Sequence, residues 1–145
     1  MRINHKYYVP FEPVIDFKFT KYNELVDCTP YEQHIIPDIP RVISLLMHDR
    51  NTRQAIIIVS EGIGTKTNMN SCLISIQWQV VDRTLVCTAN YRSQCSVNGR
   101  PHDELMIKYL TTIIKDEFQI DDVLIECNVA NYHKRTDILT NTTEL

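Results

Sequence analysis

Between residues 72 and 81 the chain alternates. Cys72, Ile74, Ile76, Trp78 and Val80 fall on one side, and Ser75, Gln77 and Gln79 on the other. A period of two is that of a strand with one buried face, so Cys72–Val81 predicts a strand. The polar Asp82-Arg83-Thr84 and the apolar return Leu85–Tyr91 predict a hairpin, without the Asn-Gly pair of the tightest turns. Arg53–Ser60 carries the unbroken β-branched run Ile56-Ile57-Ile58-Val59, which predicts a fully buried strand, and Val123–Val129 a last one. The period changes over Pro101–Phe118, where Met106, Leu110, Ile113, Ile114 and Phe118 recur at helical spacing. Asp103 and Glu104 sit in its first turn, where acids suit the helix dipole. Pro40–Met47 predicts a shorter helix with proline in its first turn, ended by the polar cluster 48–52.

The rest is punctuation. Pro10, Pro13, Pro30, Pro37 and Pro40 forbid a long helix in residues 1–40, which predicts an extended arm held by its aromatics, with Phe17-Lys18-Phe19 as an edge strand. Residues 61–70 and 92–100 predict loops, Asn131–Arg135 a basic loop, and 136–145 a frayed polar tail. The sum is an α+β chain, a mixed or antiparallel central sheet with a few packing helices.

Composition narrows the function more than the fold. The 145 residues suit one domain, 1–145, divided into an arm (1–40), a core (41–135) and a tail (136–145). A formal net charge of -3 argues against broad electrostatic binding to nucleic acid or anionic lipid. Only three glycines are present, too few for a glycine-rich phosphate loop. The N-terminus has no apolar signal region, and no apolar run approaches the roughly 20 residues that span a bilayer, so a cytoplasmic protein is expected. The five cysteines are odd in number and lack CxxC spacing, which reads as a reduced compartment with no structural zinc. His34, His48 and His102 lack metal-ligand spacing, and no metal is expected.

Two polar residues near apolar elements carry candidate chemistry. Cys72 is a nucleophile if a cation favours its thiolate, and Arg92 is placed to supply one. A cysteine on an apolar strand is also ordinary core, the reading given to Cys28, Cys87 and Cys127. Asp103 is either a helix cap or a ligand-facing carboxylate.

The order of motifs adds weight. Cys72, then Ser75-Ile76-Gln77-Trp78, a turn near Asp82, Leu85, Arg92-Ser93, Gly99, Pro101 and Asp103 resemble the thymidylate synthase family, which includes the pyrimidine hydroxymethylases. Asp49–Ile56 resembles that family's arginine-rich strand entry, and Asn131-Tyr132 its sugar-binding motif. The resemblance covers residues 41–135 and implies a thymidylate-synthase-like fold. It implies that Cys72 adds to C6 of a pyrimidine nucleotide, and that Arg92 and Ser93 bind the phosphate. By the same resemblance Arg53 serves the phosphate site of a partner subunit in a homodimer, and Tyr132 holds the ribose. Gln77 and Cys95, the latter through its backbone N–H, flank the base. Asp103 stands where uracil-specific members have asparagine. A carboxylate accepts from the exocyclic amine of cytosine, so dCMP or CMP is expected over dUMP. The one-carbon donor implied is methylenetetrahydrofolate.

The departures from the pattern are Ser71 and Leu73 around the cysteine, Gln54 for the second arginine, and Ala130 for the sugar-motif histidine. The proton-relay glutamate has no motif-supported counterpart; Glu12, Glu24 and Glu32 are the candidates. Two readings follow. One is a compact cytosine-nucleotide hydroxymethylase- or methyltransferase-like enzyme. The other is an inactive homologue serving as a binding or structural subunit without cofactor, of a size that suits a phage genome.

Overall fold

The computed structural model describes residues 4–16, 35–59, 72–95, 99–135 and 143–144. Phe17-Lys18-Phe19, the loop 61–70 and most of the tail lie outside them. Five strands make the main sheet: β1 (His5–Val9), β2 (Ile56–Ile58), β3 (Leu73–Val81), β4 (Thr84–Tyr91) and β6 (Asp122–Val129), in the order β1-β6-β4-β3-β2. Only β4 and β6 run parallel; every other neighbour pair is antiparallel. The parallel step is made by a crossover through helix α2 (Gly99–Phe118), while a shorter helix α1 (Ile39–His48) precedes β2.

Hydrophobic alternation decides which face the helices cover. Ile76, Trp78 and Val80 of β3, Leu85 and Cys87 of β4, and Ile125 and Cys127 of β6 are buried against Met106, Ile107, Leu110 and Ile114 of α2 and against Val42 and Leu46 of α1. Trp78 is fully buried, and its indole Nε1 donates to Thr111 Oγ1 on α2 at 3.1 Å. A buried indole N–H needs such an acceptor, so this bond fixes the helix on the sheet. The other face is open and polar. Its cross-strand row Ser75, Asn90, Asn128 is tied together by Asn90 Nδ2 to Ser75 Oγ (3.2 Å) and Asn128 Nδ2 to Asn90 Oδ1 (3.3 Å), and Lys6 bonds Glu126 at 3.0 Å beside it.

Several elements differ from the sequence expectation. The strand expected from Arg53 to Ser60 is only three residues long and is not fully buried: Ile57 is in the core but Ile58 is 70% exposed. β2 is an edge strand of a sheet covered on one face, so its branched residues must alternate. The Cys72–Val81 alternation breaks at its start. Register runs Leu73 to Tyr91 and then Ser75 to Asn90, so Ile74 is an extra residue, a β-bulge. The bulge sends Leu73 into the core and Ile74 outward, with the Ile74 carbonyl accepting from Val59 N–H at 2.8 Å. The hairpin turn is tighter than expected, since Thr84 already pairs with Val81 and only Asp82 and Arg83 connect the strands; Asp82 takes φ 56°, a left-handed conformation that aspartate tolerates.

The basic segment expected as a loop is strand β7 (Tyr132–Arg135). It pairs parallel with the two-residue β5 (Gln94–Cys95) and antiparallel with β8 (Thr143–Glu144), which also gives part of the expected tail a place. Residues 5–9 of the expected arm are a paired strand of the main sheet. Helix α2 begins at Gly99, two residues before the expected start.

Candidate functional site

The register row Leu73, Tyr91, Val129, His5 marks one end of the main sheet. Chain segments entering or leaving there carry most of the residues singled out above. Cys72 precedes β3 and Arg92 follows β4, and the backbone joins them: Arg92 N–H donates to the Cys72 carbonyl at 2.9 Å. The same pair meets through side chains, with Arg92 Nη2 3.7 Å from Cys72 Sγ. Arg92 is exposed and Cys72 half-buried, so this thiol–guanidinium pair faces solvent. Ser93, half-buried, comes next in the chain.

A second group lies deeper. Because α2 starts at Gly99, Asp103 falls in its second turn and not in the first as expected; it is 2% exposed. Its Oδ2 accepts from Gln94 Nε2 at 2.9 Å, and Gln94 Oε1 accepts from the Tyr7 hydroxyl at 2.7 Å. Both bonds are buried. Gln94 N–H donates to the Asn131 carbonyl at 3.2 Å, which draws β5 beside Tyr132.

A third group surrounds Arg100. Its guanidinium carbon lies 3.8 Å from the centre of the Tyr7 ring, Nη1 donates to the Tyr132 hydroxyl at 2.9 Å, and Nε donates to Glu104 Oε1 at 3.2 Å. The Tyr132 ring stacks on His5 with centroids 4.5 Å apart. Partial burial works against the Arg100 charge, but its bonds to Tyr132 and Glu104 more than offset this and hold the proton more firmly than usual. Burial, and then the neighbouring Cys127, push the Tyr7 hydroxyl well above the ordinary phenol range, so Tyr7 is a neutral donor. Burial also pushes the Cys127 thiol up to about 12 and raises that of Cys87 further, which makes both inert core cysteines.

Thus the structure joins Cys72 with Arg92, and brings Asp103 and Tyr132 into a network built on Gln94, Tyr7 and Arg100. It does not bring Gln77 and Arg53 to that network. Gln77 projects on the open face, about 13 Å along β3 from Leu73, where its Nε2 donates to the Arg53 carbonyl at 3.0 Å. Arg53 itself is exposed. The Cys95 side chain lies outside what the structure describes. Glu12 is exposed and bonded to Lys108 at 3.2 Å; Glu24 and Glu32 lie outside the described residues. Among the described residues no cluster of three His, Cys, Asp or Glu could hold a metal, and no helix is long and apolar enough to cross a membrane.

Sequence reasoning missed Gln94, Arg100, Tyr7 and His5. Gln94 and Arg100 had a positional signal, since each lies inside the motif stretch that ends at Asp103. Tyr7 and His5 had none, because only strand pairing brings β1 to this end of the sheet.

No family model and no curated protein matches the sequence. The fold does match a solved structure, the crystal structure of thymidylate synthase from T4 phage, with a TM-score of 0.60 and 18% identity over 70% of this chain and 36% of that one. The chain therefore spans little more than a third of the length of that enzyme, and the likeness at this identity is one of fold. The five-stranded mixed sheet with its two helices is a thymidylate-synthase-like α+β fold.

Proposed function

We propose that the end of the sheet marked by Cys72, Arg92, Asp103 and Tyr132 binds a pyrimidine nucleotide, with cytosine favoured over uracil, and that Cys72 adds to the base. The observation that carries this reading is the Cys72–Arg92 pair: a guanidinium within 3.7 Å of the sulfur supplies the cation that a thiolate nucleophile needs, on the same edge as a serine. Arg92 also has the planar fork that suits a phosphate. The buried Asp103 carboxylate, held as an acceptor by Gln94, suits the exocyclic amine of cytosine and repels the carbonyl that uracil presents there.

The chemistry proposed for these residues is a reversible addition. The Cys72 thiolate forms a bond to C6, and the electron pair of the C5–C6 double bond moves toward C4 and N3, which makes C5 nucleophilic. Replacement of the C5 hydrogen and expulsion of the thiolate restore the aromatic ring. In a transferase, methylenetetrahydrofolate supplies the one-carbon unit that C5 attacks. Among the described glutamates, Glu12 pairs with Lys108 and Glu104 with Arg100. The second reading is a nucleotide-binding or structural subunit without turnover. Two copies facing through the open side of the sheet, which carries Arg53, Gln77 and the exposed Ile58, would form the homodimer.

Titration with dCMP, CMP and dUMP while following thermal unfolding tests the binding. A ligand at 100 times its Kd adds about 2.7 kcal/mol. Absence of a shift with all three removes the nucleotide reading, and a shift with dUMP alone removes the role given to Asp103. Release of tritium from C5 of a bound nucleotide, abolished by Cys72→Ser, separates the enzyme from the binding subunit.

A further inference from the structure

Tyr7 belongs to β1, outside the stretch whose motifs define the site, yet it touches both of its inner parts. Its hydroxyl bonds Gln94, which bonds Asp103, and its ring lies under Arg100, which bonds Tyr132. We propose that Tyr7 is a positioning residue for the pocket, setting the base-reading carboxylate through Gln94 and the sugar-facing hydroxyl through Arg100. This rests on the nucleotide reading above and deepens it.

The direction of each bond follows from the groups themselves. An ionised carboxylate only accepts, so Gln94 must turn its amide N–H toward Asp103. Its carbonyl oxygen then faces Tyr7, which must donate. With Tyr7 held neutral by burial, that proton stays in place. The chain Tyr7 to Gln94 to Asp103 therefore has one orientation as long as Asp103 is charged. Without the Tyr7 hydroxyl the Gln94 amide is free to turn over. It would then present its oxygen to Asp103, which favours a protonated acid that donates, the arrangement suited to a uracil carbonyl.

The other branch works the same way. Arginine is donor only, so the Tyr132 oxygen accepts from Arg100 and its own proton is directed to a second acceptor, as a ribose oxygen would be. The Tyr7 face and Glu104 hold the guanidinium in the plane that permits this. The two branches separate by substitution. Tyr7→Phe removes the hydroxyl and keeps the ring under Arg100. Tyr7→Leu removes both.

Calorimetric titration of dCMP, dUMP and deoxyribose 5-phosphate against the wild type and both variants tests the proposal, with circular dichroism to establish folding. Tyr7→Phe is expected to narrow the preference for dCMP over dUMP by roughly tenfold and to leave deoxyribose 5-phosphate affinity unchanged. Tyr7→Leu is expected to weaken all three ligands. An unchanged dCMP to dUMP ratio in Tyr7→Phe overturns the positioning role while leaving the nucleotide reading intact. If the wild type binds none of the three, the nucleotide reading fails and the Tyr7 relay is judged without ligand. Side-chain amide exchange of Gln94, followed by NMR, should then quicken in Tyr7→Phe, and unchanged exchange overturns the relay as well. Should Tyr7→Leu fail to fold, Tyr7→Phe with Arg100→Gln carries the same comparison.

Discussion

Cys72 and Arg92 meet at 3.7 Å in reach of solvent, whereas Tyr7, Gln94 and Asp103 meet at 2.7 and 2.9 Å inside the fold. The first pair sits at strand ends, its two members linked by the hydrogen bond from Arg92 N–H to the Cys72 carbonyl. The second is wedged between β1, β5 and α2, so its polar atoms have given up water and depend on one another. A polar group that can return to water costs little to disconnect; a buried one costs its full desolvation. Chemistry and stability should therefore separate in the outer pair and stay coupled in the inner one.

The strongest way to break the contrast is through the helix that carries Asp103. Leu110→Ala opens a cavity where α2 meets the sheet and should lower unfolding free energy by about 2–5 kcal/mol, read by denaturant titration, with any nucleotide affinity falling alongside. A loss under about 1 kcal/mol would mean that α2 is not anchored there. Next comes Gln94→Leu, which removes the acceptor of the Tyr7 hydroxyl on this side chain and the amide donor to Asp103. A loss of about 1–3 kcal/mol is expected, and a neutral result would dissolve the difference between the two halves.

In the outer pair, Arg92→Lys, at an exposed position, should leave the melting temperature where it is while weakening phosphate binding, and Cys72→Ser, at a half-buried one, should lower it only slightly while removing C5 exchange. Alkylation of the native protein followed by peptide mass spectrometry should label Cys72 and spare Cys87 and Cys127; labelling of either inner thiol would contradict its burial.

The smallest effect calibrates the exposed end of the scale. Arg41 donates twice to Asp38, at 3.0 and 2.7 Å, and this hydrogen bonding holds the Asp38 carboxyl below the usual range. A depressed carboxyl adds stability above its unfolded pKa of about 3.9, lost as pH falls through the lower folded value. For a pair this exposed, Asp38→Asn should cost at most about 0.5 kcal/mol at neutral pH, and nothing once Asp38 is protonated in the wild type.

The same contrast explains what was legible in the sequence. Helix α2, the hairpin and β6 were readable because their periodicity is local: Met106, Leu110 and Ile114 mark the helix even though His102, Asp103, Thr111 and Thr112 are buried beside them. Cys72 with Arg92 was readable because motif order carried it. The bulge at Ile74 was not, since register belongs to a strand pair and a single extra residue looks like ordinary alternation. β7 was not, since Tyr-His-Lys-Arg is a strand only through its pairing with β5 and β8. Thr111 has no apolar signal, yet it is buried because the Trp78 indole needs an acceptor. Gln94 read as loop because its partners lie on β1 and α2.

The pairing of β1 with β6 has a consequence for how the chain is made. His5 waits for Val129 and Val9 for Ile125, residues from opposite ends of the described chain. Neither strand can close the sheet on that side until α2 has crossed over and β6 has docked on β4. Contacts of this span are slow to form. During the wait the outer edge of β6 presents unpaired N–H and C=O groups to any neighbouring molecule. The interval between docking of β6 and arrival of β1 is therefore when crowding by like chains does most harm, and the Tyr7, Gln94 and Asp103 network is among the last parts of the molecule to exist.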